Sequence, residues 1–165
     1  MSPATGRRPV AKQSRTRAAN NAAMATFLFK TEPGEYSFAD LERDRRTTWS
    51  GVTNPQALIH LRACAIGDEV FVYHTGAERA VVGLARVVGE PRPDPAVQPA
   101  DPRRAAVDIA PVRPLASPVT LAAIKADERF AEFALVRQSR LSVMPVPAGL
   151  ARAILAMAGE KPARR

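Results

Sequence analysis

The chain has 165 residues, 46% of them hydrophobic, and a formal net charge of +8. This length and composition fit one globular domain and exclude a chain that is disordered throughout. No apolar run approaches the roughly 18 residues of a membrane-spanning helix, so no membrane partner is expected. The single cysteine, Cys64, excludes an internal disulfide and indicates a reducing compartment, for which we expect a cytoplasmic location.

The positive charge is concentrated at the two ends of the sequence. The first 23 residues contain no acid and five basic residues, namely Arg7, Arg8, Lys12, Arg15 and Arg17. Residues 24–159 are nearly neutral, and residues 160–165 are again basic. We therefore predict a disordered basic tail over 1–23, a folded domain over 24–159 and a basic C-terminal tail over 160–165. Affinity for a nucleic-acid backbone should come largely from the tails.

The first predicted elements are a strand and a short helix. The apolar run at 26–29 predicts a buried strand that ends in a turn at 30–34. Ser37 and Asp40 have the spacing of a capping box, which predicts a helix that reaches to about Arg43.

A second helix is predicted to begin at Asn54 and Pro55. Asparagine is a preferred N-cap, and proline suits the first helical position because no N–H is needed there. Apolar residues at helical spacing, Cys64 among them, continue the pattern until Gly67, where the helix should end.

The middle of the chain has the pattern of strands joined by a hairpin. Predicted strands cover 68–75, 80–88 and 105–115, and the first two are joined at 76–79. Gly83 inside the second strand indicates a bulge or a close approach of another segment. Pro111 places the third strand at an edge of the sheet, because proline cannot donate to a ladder.

The last part of the chain predicts short helices and one extended segment. The helices cover 120–126, 128–134 and 148–157, and the extended segment covers 140–146. Hairpin-joined strands argue against a doubly wound parallel sheet. The predicted fold class is therefore α+β, with a small β-barrel or a curved, mainly antiparallel sheet flanked by short helices.

The sequence offers no recognisable catalytic machinery. Its two histidines and one cysteine are too widely spaced for a zinc cluster, and it contains no glycine-rich phosphate loop and no nucleophile elbow. A Cys64–His74 nucleophile pair is conceivable, but Cys64 lies on the apolar stripe of the predicted helix, where a small core residue is the default. We therefore predict a protein that is not an enzyme and has no catalytic residue, metal site or cofactor.

Planar and hydroxyl side chains are instead concentrated in three segments. A pocket for a nucleobase needs an aromatic or guanidinium face for stacking and amides or hydroxyls for the base edge. The residues of these types are Trp49, Asn54, Gln56, Tyr73, His74, Arg137, Gln138, Ser139, Arg140 and Ser142. Structural alternatives remain open: a lone tryptophan is more often core, Asn54 is an N-cap, and 137–140 has the composition of a solvated loop. Tyr73 and His74, as strand neighbours, point to opposite faces, so only one can face a given pocket directly.

Five sequence blocks in order resemble the EVE domain. They are Lys30–Pro33, Trp49–Ala57, Val72–Thr75, Val82–Ala85 and Leu135–Val143. This family belongs to the PUA-like superfamily and includes the eukaryotic thymocyte nuclear proteins. The resemblance implies a PUA-like β-barrel flanked by helices, with a cavity in which related domains hold a modified base of DNA or RNA. The positions that match the pocket-forming motifs are Trp49, Asn54, Gln56, Tyr73, His74, Arg137, Gln138 and Arg140.

Residue chemistry and resemblance together predict a monomeric, non-catalytic domain that recognises a modified nucleobase in DNA or RNA. The predicted base-binding set comprises these eight residues and Ser142. A sensor that binds a free nucleobase or metabolite in the same pocket is the alternative, and a nucleotide-modifying enzyme is a third hypothesis. Salt dependence separates the first two, because phosphate contacts give a steep salt slope and a buried free ligand does not.

Overall fold

The computed structural model describes residues 24–160, so the predicted tail over 1–23 and residues 161–165 lie outside the described residues. The described strands are β1 (Thr26–Thr31), β2 (Thr47–Trp49), β3 (Glu69–His74), β4 (Ala80–Val87), β5 (Arg92–Pro93), β6 (Ala105–Thr120) and β7 (Val143–Pro145). The helices are α1 (Phe38–Asp44), α2 (Pro55–Arg62), α3 (Leu121–Lys125), α4 (Ala134–Arg137) and α5 (Ala148–Met157). A 3-10 turn at Glu128–Phe130 and α4 replace the single helix predicted over 128–134.

The strands form one curled, mixed sheet that closes into a half-barrel. Their order across the sheet is β2-β6-β4-β3-β1-β7, and β5 pairs with β6 outside this path. Every pair is antiparallel except β1 with β3, which run parallel with Thr26 opposite Glu69 and Thr31 opposite His74. The predicted α+β class, with a curved and mainly antiparallel sheet, is confirmed.

The sheet has a core on both of its faces. Leu28 and Phe29 are neighbours on β1 and therefore point to opposite faces, yet neither is exposed to solvent. The same holds for Val70 and Phe71 on β3. Among residues 24–160, no helix is long and apolar enough to cross a membrane.

α2 ends earlier than its apolar pattern predicts. The helix stops at Arg62, although Cys64 and Ala65 are still buried. The buried carboxylate of Asp68 accepts hydrogen bonds from Ala65 N (2.9 Å) and Ala25 N (3.2 Å). These bonds hold the chain in a turn after the helix. Cys64 and Ala65, the last apolar residues of the predicted helical pattern, therefore reach the core from this turn and not from the helix.

The prediction that Pro111 places the third strand at an edge of the sheet is wrong, because β6 lies between β2 and β4. β6 lies inside the sheet, but β2 pairs only with residues 107–109 of it. Pro111 lies beyond that short partner, so its missing N–H removes no bond on that side. On the other side, a register shift at Leu84/Ala85 of β4 lies opposite the proline.

Gly83 is the site of a close approach, as predicted. α1 begins at Phe38, whose ring lies directly over β4, and a Cβ built on Gly83 would lie 2.5 Å from Phe38 Cε1. The capping box at Ser37 and Asp40 is present with both of its bonds, so the start of α1 is fixed locally. The glycine lets helix and strand approach more closely than any side chain would permit.

Glu160 belongs to the fold, although the sequence places it in the C-terminal tail. Its carboxylate accepts hydrogen bonds from Arg113 Nη2 (2.9 Å) and from Ala116 N (2.7 Å). Both partners lie on β6, so the chain remains attached to the sheet beyond α5.

Candidate functional site

A cavity of about 550 Å³ lies where the ends of β1, β2 and the loop before α2 meet. This volume is in the range typical of small-ligand sites, about 300–1,000 Å³. Its wall combines aromatic rings, hydroxyls, two carboxylates and two basic groups. The lining residues are Lys30, Thr31, Glu32, Glu35, Tyr36, Thr47, Thr48, Trp49, Ser50, Gly51, Val52, Thr53, Asn54, Arg140 and Ser142.

Trp49 forms the aromatic wall of the cavity. It is the last residue of β2, and its pairing with Val107 on β6 fixes its position. The ring packs against Phe29 at a centroid distance of 5.3 Å and meets Tyr36 edge-on at 6.5 Å. Only 9% of the residue is exposed, so the tryptophan is at once a core residue and a cavity residue.

Two anchors hold the loop that follows Trp49. The turn at Gly51 has a φ of 79°, and its N–H donates to Asp94 Oδ2 at 2.8 Å. Asp94 is 2% exposed and also accepts from Ala96 N at 2.8 Å. Arg104 Nε donates to Val52 O at 2.9 Å. Asp94 and Arg104 stand at the two ends of the long loop between β5 and β6. This loop thus holds Gly51 and Val52 in place from both of its ends.

Replacing Asp94 by alanine is expected to lower the free energy of unfolding by about 1–3 kcal/mol, because two amides lose their buried acceptor. Urea unfolding measures this change. The control is Asp101→Ala on the same loop. The Asp101 carboxylate also accepts from a backbone N–H, that of Arg103, and pairs with its guanidinium, but these bonds are exposed to solvent and should contribute little. Equal effects of the two substitutions would show that Asp94 does not hold the loop.

Several polar groups of the cavity are already engaged. Thr31 Oγ1 donates to Tyr36 O at 2.7 Å, and Thr48 Oγ1 donates to Asp108 Oδ1 at 2.8 Å. Lys30 Nζ donates to Ser139 O at 2.9 Å, and burial lowers the pKa of this ammonium. Burial also raises the pKa of the Tyr36 hydroxyl, which donates to Asp44 Oδ2. These bonds fix the shape of the cavity wall, and a ligand would have to bond to other side chains of the cavity.

Other polar side chains of the cavity are not engaged, Ser50 and Thr53 among those that the structure describes. Within residues 24–160, Glu35, Arg140 and Ser142 make no side-chain hydrogen bond or ion pair. They bring a carboxylate, a guanidinium and a hydroxyl to the same cavity. Such a set can accept and donate hydrogen bonds to a polar planar ligand that stacks on an aromatic wall.

The structure brings four of the predicted base-binding residues to this cavity, namely Trp49, Asn54, Arg140 and Ser142. Gln56 and Gln138 line a neighbouring cleft, together with Asn54 and Arg140. Asn54 also fills its alternative role, because its Oδ1 accepts from Ala57 N at 2.9 Å as the N-cap of α2.

The other three predicted residues do not line the cavity. Tyr73 is 3% exposed, since β3 is flanked by β1 and β4 and covered on both faces. His74 is buried too: its Nε2 accepts from Phe38 N at 3.0 Å, and its Nδ1 lies 2.8 Å from Glu78 Oε1. Arg137 points to solvent and pairs with Glu132.

Further cavity residues were not among the predicted ones. Lys30, Thr31, Glu32, Glu35 and Tyr36 follow the core of β1, and Thr47 and Thr48 precede Trp49. The available signal was the switch from an apolar run to charged and hydroxyl residues at the end of β1, where binding residues commonly lie.

The described residues also bear on the catalytic alternative. Cys64 is buried, with its Sγ 3.7 Å from His60 O, and both ring nitrogens of His74 have other partners. Residues 24–160 contain no group of three or more His, Cys, Asp or Glu side chains that could hold a metal ion.

A family model for the EVE domain matches residues 25–157, which is most of the chain. The chain belongs to the EVE domain family. This EVE domain is 38% identical to a Rhodopseudomonas palustris protein, whose NMR structure has a TM-score of 0.77 and covers 82% of this chain and 94% of its own. Human thymocyte nuclear protein 1 is 28% identical over 152 residues, 73% of this chain and 68% of the human protein.

One solved relative contains nucleic acid. The crystal structure of human thymocyte nuclear protein 1 in complex with 5-methylcytosine-containing DNA has a TM-score of 0.76 and 26% identity. The match covers 84% of this chain and 99% of the human chain. The fold implied by the resemblance, a PUA-like sheet with flanking helices, is thereby confirmed.

Proposed function

We propose that this EVE domain binds DNA that carries a modified base and catalyses no reaction on it. The observation that carries the proposal is the cavity itself, with Trp49 in its wall and the uncommitted side chains of Glu35, Arg140 and Ser142 around it. A base turned out of a duplex is held by stacking and by hydrogen bonds to its edge, which are the contacts this set of residues offers. The human relative solved with 5-methylcytosine-containing DNA supports the same ligand class.

The first test compares two duplexes of the same sequence, one with a single 5-methylcytosine and one with cytosine. Fluorescence anisotropy should show saturable binding by the full-length chain and tighter binding of the methylated duplex. No saturable binding, or equal affinity for both duplexes, would overturn the proposal.

Arg140→Ala is expected to weaken binding of the methylated duplex by about tenfold, equal to about 1.4 kcal/mol, because a charged hydrogen bond to the ligand is lost. Arg140 is exposed and unpaired within the described fold, so the substitution should leave stability unchanged. Arg152→Ala on α5, outside the cavity, is the matched control. If both substitutions weaken binding equally, the effect is one of net charge and not of the cavity.

A free nucleobase or metabolite is the second candidate ligand. The charged residues of the cavity balance, with Lys30 and Arg140 against Glu32 and Glu35, so there is no basic excess for a phosphate chain. Binding of the methylated duplex should weaken steeply between about 50 and about 200 mM salt if phosphates are contacted. A flat salt response, with the free nucleoside bound as tightly as the duplex, would favour the small-ligand alternative.

A further inference from the structure

A second cleft, of about 290 Å³, adjoins the cavity. It is lined by Asn54, Gln56, Gln138, Ser139, Arg140 and Leu141. Asn54 and Arg140 also line the cavity, so the two depressions share a border. We call the second one the amide cleft, because three of its six lining side chains are carboxamides.

The carboxamides of the amide cleft have donor or acceptor groups without a hydrogen-bond partner within residues 24–160. Gln56 and Gln138 are exposed, and their side chains make no hydrogen bond within residues 24–160. Asn54 uses its Oδ1 to cap α2 and keeps its amide N–H groups. Arg140 is likewise unpaired, whereas its neighbour Arg137 pairs with Glu132.

The backbone beneath these side chains is firmly held. Gln138 follows α4 as its C-cap residue. Its N–H donates to Ala134 O at 2.7 Å, and its carbonyl accepts from Leu141 N at 3.1 Å. Lys30 Nζ fixes the Ser139 carbonyl at 2.9 Å. Gln56 lies in the first turn of α2, which Asn54 caps. Gln56 therefore projects from the first turn of a helix, and Gln138 projects from a hydrogen-bonded turn.

We infer that the amide cleft holds the nucleotide next to the modified base in the same strand, and that Gln56 and Gln138 read the edge of its base. This inference rests on the function proposed above. A carboxamide carries a donor and an acceptor side by side, the pattern that pairs with N6 and N7 of adenine. Arg140 stands on the border of both depressions, where the phosphate that links the two nucleotides has to pass.

The inference predicts a sequence preference beside the modified base. The probes are duplexes in which the base on either side of a single 5-methylcytosine is varied in turn. The full-length chain should prefer adenine at one of these positions by about tenfold, the factor that corresponds to about 1.4 kcal/mol. The double substitution Gln56→Ala and Gln138→Ala should abolish this preference.

Gln98→Ala is the matched control, because Gln98 lies in the loop before β6 and bonds only to Pro95 O. It should retain the full preference for adenine. Thermal melting should be the same for all variants, since the substituted side chains are exposed. Equal binding of all flanking bases by the unaltered chain, or an unchanged preference in the double variant, would overturn the inference. Equal affinity of the unaltered chain for methylated and unmethylated duplex would instead overturn the proposed function.

Discussion

Replacing Gly83 by alanine is expected to destabilise the domain by about 3 kcal/mol, because the new methyl group would overlap a buried ring. A Cβ at this position would lie 2.5 Å from Cε1 and 2.6 Å from Cδ1 and Cζ of Phe38. Phe38 is 4% exposed and cannot swing into solvent without leaving the core. Urea unfolding followed by circular dichroism measures the loss.

Two further variants show whether the overlap is the cause. Gly34→Ala is the matched control, since the nearest atom to its Cβ would be Glu32 Oε2 at 3.6 Å, an ordinary contact. Gly83→Ala should also cost far less in a Phe38→Ala background, where the ring is absent. Additive effects of the two substitutions would mean that Gly83 is needed for a reason other than this contact.

Trp49→Ala is expected to lower the free energy of unfolding by about 3–5 kcal/mol, the usual cost of removing a large buried aromatic side chain. The ring fills the space between Phe29 and Tyr36, and no neighbouring group can replace it. In the folded fraction, affinity for a methylated duplex should also fall, by about 1–3 kcal/mol for the stacking that is lost.

Trp49→Phe separates these two contributions, because phenylalanine keeps most of the packing against Phe29 and presents a smaller face to the cavity. Its stability should lie close to that of the unaltered chain, while its affinity is intermediate. An alanine variant that is strongly destabilised but binds the methylated duplex normally would show that Trp49 is a core residue only.

The elements that the sequence predicts well are those with a local cause. The capping box of Ser37 and Asp40 and the N-cap at Asn54 each act over three residues, and both helices begin where these signals place them. β2 was not predicted as a strand. It has only three residues, and its partner is β6, which lies far along the chain. A strand whose pairing depends on such a distant segment leaves no periodic trace of its own.

The same distinction applies to the candidate site. The sequence chemistry of Trp49 and Arg140 indicates a planar ligand, and both line the cavity. Residues 30–32 lie in one of the five blocks that resemble the EVE domain, but residue chemistry alone did not mark them or residues 35–36 as binding residues. They line the cavity because the end of β1 lies beside β2 and the loop before α2 in the folded chain. His74 has the right chemistry for a ligand contact, but it binds the first amide of α1 instead. Residue type alone cannot separate these two uses of an imidazole.

β1 is held between β3 and β7, and Phe27 lies opposite Pro145. The first strand of the described fold therefore keeps one unpaired edge until almost the whole domain has left the ribosome. Such a high contact order predicts slow folding for a domain of this size. During synthesis both apolar faces of β1, with Leu28 on one and Phe29 on the other, would be open to other chains. The nascent domain is therefore expected to depend on chaperones that bind exposed apolar strands.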